Sequence, residues 1–516
     1  MSEKLWWLKI GSLLTSASLR FAIDDRWLFA TKLLERLRST KFISLAERGQ
    51  AIFGRQIGSR SQIQRYFDSK QFSKLSEFAD SGDLKKLSRN ERKLVNRATE
   101  LEFLLGQHVP QSNAKSSETK DPRVLFYLTN SLPHTHSGYA YRSQSTLRAL
   151  AQFGIQALGV TRLGYPITVG RIPRAAKEFV NGVPYFRLIS WIYPASVLKR
   201  NTLAVDQLVE LARDNGVNII HTTTDYNNAL LVAAAAEKLN VPWVYEIRGE
   251  LEKTWLSRQE EQIRSNPNES EFYVRARRQE EACMHAADAV VALSEVSKSQ
   301  LIERGIHPNK IVVIPNAVDD KFVGHEFSRD DLREELGLPQ GKIVGSVTSV
   351  VEYEGLDDLV RAAGCGYEGT VLIVGDGVYL PVLKDLARKL GVADRVIFAG
   401  RQDNETIWKW YAAMDIFVVP RKDTLVCRTV TPIKPVMAQA LGIPVIASDL
   451  PALREITGEL ANYVKPGDEI ALARALNSTQ IDECSRGELF KWAGEHTWNS
   501  NAMKNAEMYN RLLKTT

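Results

Sequence analysis

Three basic side chains lie close to the start of one predicted helix late in the chain. Arg421, Arg428 and Lys434 precede Pro435, a residue suited to a first helical turn because its missing N–H would be unpaired there. Cations at a helix N-terminus are unfavourable unless something negative joins them. We expect a bound diphosphate to provide that charge, and a solvated basic loop is the plainer alternative.

A fourth cation, Arg248, follows the apolar run that ends at Ile247. An arginine at the carboxyl end of a strand can clamp an anion or donate to sugar hydroxyls. Open parallel sheets bind their ligands at this edge. The alternative is a salt bridge from Arg248 to Glu250 or Glu252.

Glycine-containing loops also follow predicted strands, at Gly138, at Gly345 and at 375–377. A glycine lets backbone amides approach a phosphate or a sugar closely. None of these loops has the G-x-G-x-x-G spacing, so nicotinamide binding is poorly supported. Each loop alone is equally consistent with a tight turn. His134 and His136 lie beside the first loop, and without a carboxylate or cysteine nearby in sequence we interpret them as loop residues rather than metal ligands.

Short apolar runs alternate with helical patterns in two successive blocks, which predicts parallel sheets with right-handed crossovers. The fold class is therefore α/β: two Rossmann-like, doubly wound parallel-sheet domains facing each other across a cleft, with an N-terminal helical extension. The predicted strands are 124–128, 157–160, 217–220, 242–247, 289–292 and 310–314, then 343–347, 370–374, 396–399, 416–419 and 444–447.

We divide the chain into four parts. Residues 1–118 form a helical extension and linker, 119–325 the first Rossmann-like domain, 326–485 the second, and 486–516 C-terminal helices packing back on the first. The start at Trp6-Trp7 and the run 27–37 carry amphipathic patterns. They predict either an interfacial helix at a membrane or a helical cap on the body or on a partner.

Composition limits the remaining choices. The formal net charge of +6 in 516 residues suits an anionic ligand or an anionic membrane surface, but it is far from a nucleic-acid signature. The sequence contains no apolar stretch of about 18 residues, so no membrane-spanning helix is predicted. The four cysteines form no C-x-x-C pair, which argues against a metal cage and favours the reducing cytoplasm.

Several motifs, taken in order, resemble the GT-B glycosyltransferases of the family-4 type, which are retaining and use nucleotide sugars. The resemblance covers about residues 122–515, through the segments 137–138, 245–249, 287–295, 314–319, 353–357, 374–377 and 440–448. It implies that the donor binds mainly to the C-terminal domain and the acceptor to the N-terminal one. It also implies transfer with retention, without a metal, and with no cofactor besides the nucleotide-sugar co-substrate.

The chain departs from that family pattern at its donor site. Ser349 and Glu354 stand where many members place an arginine and a lysine. Family members carry two glutamates in this region. Met437 stands at the position of the second one, and Thr429 stands at the position of the first, or Arg428 does if the loop is shifted by one residue. Methionine cannot accept a strong hydrogen bond. We hypothesise that Arg421, Arg428 and Lys434 replace the missing cations in a donor site that is altered or dead.

A histidine often stands in the family where this chain has Arg248. We assign catalytic roles to Arg248, Arg428 and Lys434. The donor-binding candidates are Gly138, Ser349, Glu354, Gly375, Gly377, Arg401, Arg421, Thr431 and Met437.

The sequence therefore predicts a glycosyltransferase that acts on a glycan or lipid-linked acceptor. A catalytically impaired subunit or scaffold of a polysaccharide-assembly complex is the alternative. A sugar-nucleotide epimerase of the same two-domain architecture is a third possibility, although no acid–base pair in the sequence demands it. Expected partners are the nucleotide sugar and the acceptor, with no nucleic acid, and a membrane or a protein at the N-terminal helices. The expected location is the cytoplasm, with membrane association.

Overall fold

The computed structural model describes Trp6 and residues 8–13, 61–80, 83–111, 121–257, 259, 261–403, 405–480 and 482–515. The chain divides into two compact units, Met1–Val290 with Tyr509–Thr516, and Val291–Met508. The predicted run 27–37 lies outside the described residues.

The first sheet has eight strands in the order β3-β4-β2-β1-β5-β6-β7-β8. Strands β4, β2, β1, β5 and β6 pair in parallel, and β3 pairs antiparallel with β4. Five consecutive residues of β1 are buried, as expected for a strand covered on both faces. The strands are β1 Arg123–Leu128, β2 Gln156–Thr161, β3 Lys177–Val180, β4 Val183–Arg187, β5 Ile219–Thr223, β6 Trp243–Glu246, β7 Ala289–Ala292 and β8 Ile311–Val313.

The second sheet has six strands, all paired in parallel, in the order β11-β10-β9-β12-β13-β14. Successive residues of β10 belong to two different apolar clusters. Leu372 and Val374 belong to one cluster, and Val371 and Ile373 belong to the other. Since strand side chains alternate between faces, both faces of this sheet are covered. The strands are β9 Ile343–Val347, β10 Thr370–Val374, β11 Val396–Gly400, β12 Ile416–Val419, β13 Val445–Ser448 and β14 Asn462–Val464.

Helices precede β1, connect most of the strands and end the chain. Several begin at a side-chain cap, such as the capping box of Ser88 and Glu91. Up to β8 they are Gln62–Asp68, Phe72–Asp80, Arg89–Leu104, Gly138–Gln152, Val197–Asp214, Tyr226–Leu239, Leu251–Leu256, Glu261–Ser265, Glu271–Ala286 and Glu295–Glu303. Beyond β8 they are Arg329–Glu335, Leu356–Gly364, Leu380–Lys389, Ile407–Ala412, Leu425–Thr429, Lys434–Ala440, Pro451–Ile456, Glu469–Ser478, Glu483–Glu495 and Trp498–Thr515.

The predicted fold class is confirmed, because both sheets are dominated by parallel strands with intervening helices. One strand was placed too early: 217–220 was predicted, whereas β5 runs Ile219–Thr223. His221, Thr222 and Thr223 are polar by type, yet all three are buried. A prediction from apolar runs therefore stopped short of the true carboxyl end of β5.

The described part of the N-terminal segment is helical at Trp6 and at residues 8–13. Trp6, Ile10 and Leu13 are buried together with Ile167 and Ile189 of the same unit. Because this apolar face is already covered by protein, the described residues fit the cap interpretation. Within the part of the chain that the structure describes, no helix is both long enough and apolar enough to cross a bilayer.

Candidate functional site

A compact charged cluster lies at the carboxyl ends of β9 and β12 in the second unit. These strands are parallel neighbours, so the loops that follow them leave the same edge of the sheet. Lys434 Nζ lies 3.1 Å from Glu354 Oε1 and also donates to Thr348 Oγ1. Arg421 Nη2 donates to the same Glu354 oxygen at 2.9 Å. We call Glu354, Arg421 and Lys434 the charge triad.

The backbone around Gly355 brings the charge triad together. Gly355 has φ +68°, and a Cβ there would lie 1.8 Å from the carbonyl oxygen of Pro420. A side chain would therefore push the Glu354 turn away from the end of β12. A second ion pair joins the same two loops, since Lys422 Nζ donates to Asp357 Oδ2 at 2.7 Å.

The charges of the triad strongly affect one another. Burial would raise the pKa of Glu354, but the nearby Lys434 and Arg421 outweigh burial and hold that pKa at about 2. Burial also lowers the pKa of Lys434, against the attraction of Glu354. With Glu354 ionised and both cations charged, the triad carries one net positive charge.

This geometry corrects the electrostatic argument drawn from the sequence. The negative partner of Arg421 and Lys434 is the protein's own Glu354, so the clustered cations do not by themselves require a bound diphosphate. Arg428 does not join them. Its side chain is 53% exposed and pairs with Asp423 at 2.5 Å. Arg421 and Lys434 therefore converge on Glu354, whereas Arg428 belongs to a different ion pair.

The helix behind Lys434 runs Lys434–Ala440 with Pro435 in its first turn, as predicted. At seven residues it is short, so the side-chain charges rather than the helix dipole dominate the local field. Met437 is partly buried and packs against the apolar cluster of the second sheet. The position where the family places a second glutamate is therefore part of the packing here.

Two of the remaining donor candidates of the second unit, Gly375 and Gly377, pack against the segment that follows β9. A Cβ at Gly375 would lie 1.8 Å from Thr348 O, and one at Gly377 would lie 2.2 Å from Val350 O. These glycines thus let two loops of the chain approach each other, which is a packing reason for their presence. Ser349 and Arg401 are exposed. Thr431 is buried, and its carbonyl oxygen accepts from Asn316 Nδ2 at 2.8 Å.

In the first unit, Arg248 is buried and bound to protein groups. Its Nε and Nη2 donate to Glu246 Oε2 at 2.8 and 2.5 Å. Its Nη1 donates to Tyr139 O and to Ser143 Oγ at 3.0 and 2.7 Å. The predicted alternative was a salt bridge to Glu250 or Glu252, and the actual partner is Glu246. The guanidinium group of Arg248 therefore binds protein groups and stabilises its loop, instead of being exposed to bind an anion.

Glu246 is the centre of a buried network. Arg142 Nη2 lies 2.7 Å from its Oε1, on the opposite side from Arg248. Burial would raise the pKa of Glu246, but the two guanidinium groups hold that pKa well below its ordinary value. His221 Nε2 lies 3.7 Å away, and His221 Nδ1 is 2.7 Å from Tyr509 Oη.

A cavity of about 330 Å³ opens beside this network in the first unit. Tyr139, which is 54% exposed, lies on its wall. The rest of the lining combines the apolar side chains of Leu128 and Leu251 with hydroxyl, amide and carboxylate groups, including those of Thr129, Asn130, Thr224, Asp225 and Glu250. Such a mixture of an aromatic face and hydrogen-bonding oxygens suits a hydroxyl-rich ligand.

Gly138 begins the helix next to Tyr139 and is exposed, with open space around its Cα. The sequence prediction does not include Asp225, which lies two residues after the end of β5, caps the helix Tyr226–Leu239 and accepts from Asn227 N at 3.0 Å. With the predicted end of this strand at Ile220, Asp225 lies five residues beyond it, whereas it lies two residues beyond the actual end of β5. The rule that ligands gather at strand ends would have found it with the correct bounds.

His134 and His136 each lie within hydrogen-bond distance of another side chain. His134 Nε2 lies 2.9 Å from Glu178 Oε2, which also accepts from Arg187 Nε at 2.8 Å. His136 Nδ1 is 2.8 Å from Tyr141 Oη. Among the residues described, no three His, Cys, Asp or Glu side chains form a group that could hold a metal ion.

Glu280 is a second buried acid, close to Asp225. It accepts from Tyr245 Oη at 2.5 Å and from Tyr226 N at 2.8 Å. Burial, and then the negative charge of Asp225, raise the pKa of Glu280 to about 8. The native protein therefore keeps this carboxyl protonated at neutral pH.

This shift predicts a measurable pH dependence. The folded pKa of about 8 lies above the ordinary 4.5, so between these values the native state holds a proton that the unfolded chain releases. Stability should fall as pH rises through that window and level off above it. Glu280→Gln has no proton to lose and should flatten the dependence, as measured by denaturant midpoints at several pH values. The exposed Glu303→Gln is the control, and an unaltered slope in Glu280→Gln would contradict the assignment.

The chain matches two family models. Residues 137–317 match the glycosyl transferase 4-like domain, and residues 328–493 match the glycosyl transferases group 1. The two matches follow one another along the chain and together span most of the region in which the sequence motifs lie.

Curated relatives match over shorter stretches. The lipopolysaccharide core biosynthesis mannosyltransferase LpsB of Rhizobium meliloti is 30% identical over 179 residues, which are 33% of this chain and 47% of the relative. The alpha-monoglucosyldiacylglycerol synthase of Streptococcus pneumoniae is 26% identical over 260 residues, 49% of this chain and 56% of the relative. The chain thus spans about half the length of these relatives.

Solved structures share the fold at low identity. Sucrose-phosphate synthase from Thermosynechococcus elongatus has a TM-score of 0.58 and 21% identity, over 76% of this chain and 100% of that one. HepE of Anabaena, solved in complex with UDP, has a TM-score of 0.55 and 19% identity, over 75% and 99%. With the two family models and two parallel-sheet units, the chain belongs to the GT-B glycosyltransferases of the family-4 type.

Proposed function

We propose that the protein is a retaining glycosyltransferase that moves a sugar from a nucleotide diphosphate sugar to a glycan or lipid-linked acceptor. The observation that carries this proposal is the charge triad. It keeps a net positive charge at the carboxyl ends of β9 and β12, in a family whose members are glycosyltransferases. That edge of a parallel sheet is where ligands bind.

Lys434 is the member of the triad that meets the donor. Its side chain is 19% exposed, whereas that of Arg421 is 7% exposed. An ammonium group has three N–H donors. Two of them point at Thr348 and Glu354, which leaves one for a phosphate oxygen. Arg421 and Glu354 then hold Lys434 in position.

The proposed reaction needs no metal, because Lys434 and Arg421 provide the positive charge that stabilises the departing diphosphate. The bond from the anomeric carbon to the acceptor oxygen forms as the bond to the diphosphate oxygen breaks. The acceptor hydroxyl passes its proton to a phosphate oxygen, and the sugar keeps its configuration. Chelation of divalent ions should then leave turnover unchanged.

The acceptor is assigned to the cavity of the first unit. Its lining offers hydrogen-bonding oxygens from Asn130, Asp225 and Glu250 and the exposed ring of Tyr139. These groups suit the hydroxyls and apolar face of a sugar ring. The names of two relatives, a lipopolysaccharide core mannosyltransferase and a glucosyldiacylglycerol synthase, support a glycan or glycolipid acceptor.

A second candidate is a subunit of the same fold that binds without catalysing transfer. Met437 favours it, because this side chain packs against the apolar cluster and offers no carboxylate to a donor. Such a subunit would bind a nucleoside diphosphate weakly or not at all, and it would show no hydrolysis or transfer.

A ligand panel distinguishes the two candidates. Millimolar nucleoside diphosphates are expected to stabilise the protein by at least about 1 kcal/mol if a site exists. The measurement is thermal unfolding with UDP, ADP, GDP and dTDP, followed by hydrolysis of the matching nucleotide sugars. The corresponding nucleosides, which lack phosphate, are the control. No stabilisation by any diphosphate would reject the donor site, and stabilisation without turnover would favour the non-catalytic subunit.

A further inference from the structure

The helix Tyr226–Leu239 begins at the wall of the cavity in the first unit. Asp225 lines this cavity and caps the helix, and its Oδ1 accepts from Asn227 N at 3.0 Å and from Asn227 Nδ2 at 2.9 Å. Within the part of the chain that the structure describes, the hydrogen bonds to the Asp225 carboxylate end on this one oxygen. Oδ2 is therefore the oxygen left for a ligand in the cavity.

Asn228, in the first turn of the same helix, holds the wall together. Its Nδ2 donates to Thr129 Oγ1 at 2.8 Å and to Thr223 O at 3.0 Å, and both threonines line the cavity. Its backbone N donates to Asp225 O at 2.9 Å. The start of the helix, the end of β5 and the loop after β1 are thus joined. A group that fixes the first amides of the helix also fixes the Asp225 carboxylate.

Glu280 fixes one of these amides from a different helix, Glu271–Ala286. Its side chain is buried, and its Oε1 accepts from Tyr226 N at 2.8 Å. Its Oε2 accepts from Tyr245 Oη at 2.5 Å, and Tyr245 lies on β6. The carboxyl group of Glu280 therefore joins the amide next to Asp225 to β6, the strand beside β5 in the sheet.

The charges around Glu280 decide which form of its carboxyl group suits this position. Two carboxylates at one helix start repel each other, so Asp225 and Glu280 do not both ionise without cost. The titratable groups that face Glu280 are two acids, two phenols and a thiol: Asp225, Glu252, Tyr226, Tyr245 and Cys283. With its pKa at about 8, Glu280 is neutral at neutral pH. It then accepts from Tyr226 N without adding a charge beside Asp225.

We propose that Glu280 is a positioning residue of the acceptor site, which holds the Tyr226 amide in place and so directs Asp225 Oδ2 at an acceptor hydroxyl. The inference rests on the proposed function, because it takes the cavity as the place of the acceptor. The Asp225 carboxylate accepts a hydrogen bond from that hydroxyl. Glu280 acts on the acceptor only through Tyr226 N and Asp225.

Acceptor binding should then weaken in alkaline solution. As pH rises through the pKa of about 8, Glu280 loses its proton, and its negative charge repels the Asp225 carboxylate. We expect KM for the acceptor to rise about tenfold between about pH 7 and about pH 9. KM for the donor should stay unchanged, because the charge triad of the second unit contains neither Glu280 nor Asp225.

Glu280→Gln separates the proton from the contact. The glutamine oxygen still accepts from Tyr226 N and its NH2 group donates to Tyr245 Oη, but there is no proton to lose. Acceptor KM in this variant should lie within about twofold of the parent value at about pH 7, and it should not rise at about pH 9.

Glu280→Ala removes the contact itself. Acceptor KM should then be about tenfold higher than in the parent at neutral pH, because the Tyr226 amide loses its buried partner. Donor KM should not change. Glu281→Gln is the matched control, since Glu281 follows on the same helix and pairs with Arg277 at 3.0 Å. It should behave as the parent does in every assay.

Two measurements on the full chain test the proposal. Transfer is assayed with the nucleotide sugar that the ligand panel identifies, and octyl α-glucoside and octyl α-mannoside serve as acceptor probes. Hydrogen–deuterium exchange at residues 224–231 reports the position of the wall without any ligand. Exchange there should be faster in Glu280→Ala than in the parent, and unchanged in Glu280→Gln and Glu281→Gln.

An acceptor KM that still rises with pH in Glu280→Gln as it does in the parent would overturn the positioning role. So would an unchanged exchange rate in Glu280→Ala. Far-ultraviolet circular dichroism shows whether each variant is folded, and if Glu280→Ala is not, the pH profile of Glu280→Gln decides. A parent that transfers sugar to neither probe would count against the proposed function, and the exchange rates alone would then decide the role of Glu280. The two proposals can thus fail separately.

Discussion

Lys434→Met is expected to lower kcat for sugar transfer by about 10²–10³, the usual cost of removing one group that stabilises developing charge. The variant leaves Glu354 paired with Arg421, whose Nη2 lies 2.9 Å from Glu354 Oε1, so the fold should persist. Methionine keeps the apolar stem and removes only the ammonium group. The measurement is kcat and KM with the nucleotide sugar that the ligand panel identifies, together with thermal unfolding.

Arg428→Gln is the matched control for that variant. Arg428 is also a cation of the 421–434 region, but it is exposed and paired with Asp423. Its removal should change kcat and KM by less than about twofold, as expected for an exposed ion pair. Equal losses in both variants would mean that general basicity, and not the charge triad, acts on the donor.

A charge exchange tests whether the triad works as a unit. Glu354→Lys alone places three cations together, so we expect it to destabilise the second unit. Adding Lys434→Glu to it returns one carboxylate and two cations to the same three positions. If the double variant were no more stable than Glu354→Lys, the two charges would act independently.

Glu246→Gln is expected to destabilise the protein by about 3–5 kcal/mol, because it leaves two buried guanidinium groups without their counter-charge. Arg142 and Arg248 contact opposite oxygens of Glu246, and all three residues are at most 4% exposed. The measurement is the denaturant midpoint of unfolding at neutral pH. The cavity in the first unit should also lose its order, since Arg248 lines it.

Asp206→Asn provides the comparison, as it breaks an ion pair with Lys238 whose side chains are 57% and 50% exposed. Its cost should stay below about 1 kcal/mol. If Glu246→Gln cost no more than Asp206→Asn, Glu246 would not be the charge that stabilises Arg142 and Arg248.

The sequence alone predicted the fold because buried parallel strands are short apolar runs. Residues 343–347, 370–374 and 416–419 were placed where β9, β10 and β12 lie. The strands β3 and β4 were missed, since Lys177 and Glu178 begin the hairpin and its burial alternates. An edge hairpin with one solvated face lacks the continuous apolar signal.

The candidate site was only partly predictable. Glu354, Arg421 and Lys434 were each selected, but their convergence depends on contacts across 67 and 80 positions of chain, which local spacing does not reveal. The sequence therefore suggested an external anion where a carboxylate of the protein already lies. For Arg248 the sequence indicates Glu250 or Glu252 as the alternative partner, whereas the partner is Glu246, the last residue of β6.

The affinity difference between a nucleoside diphosphate and its nucleoside, measured by titration calorimetry in the parent protein and in Lys434→Met, tests the central claim most directly. If the charge triad holds the diphosphate, the parent should bind the diphosphate at least about tenfold more tightly than the nucleoside, since a charge-assisted hydrogen bond contributes roughly 1.5–3 kcal/mol. Lys434→Met should lose most of that difference while its affinity for the nucleoside stays unchanged. A difference that persists in Lys434→Met would contradict the account.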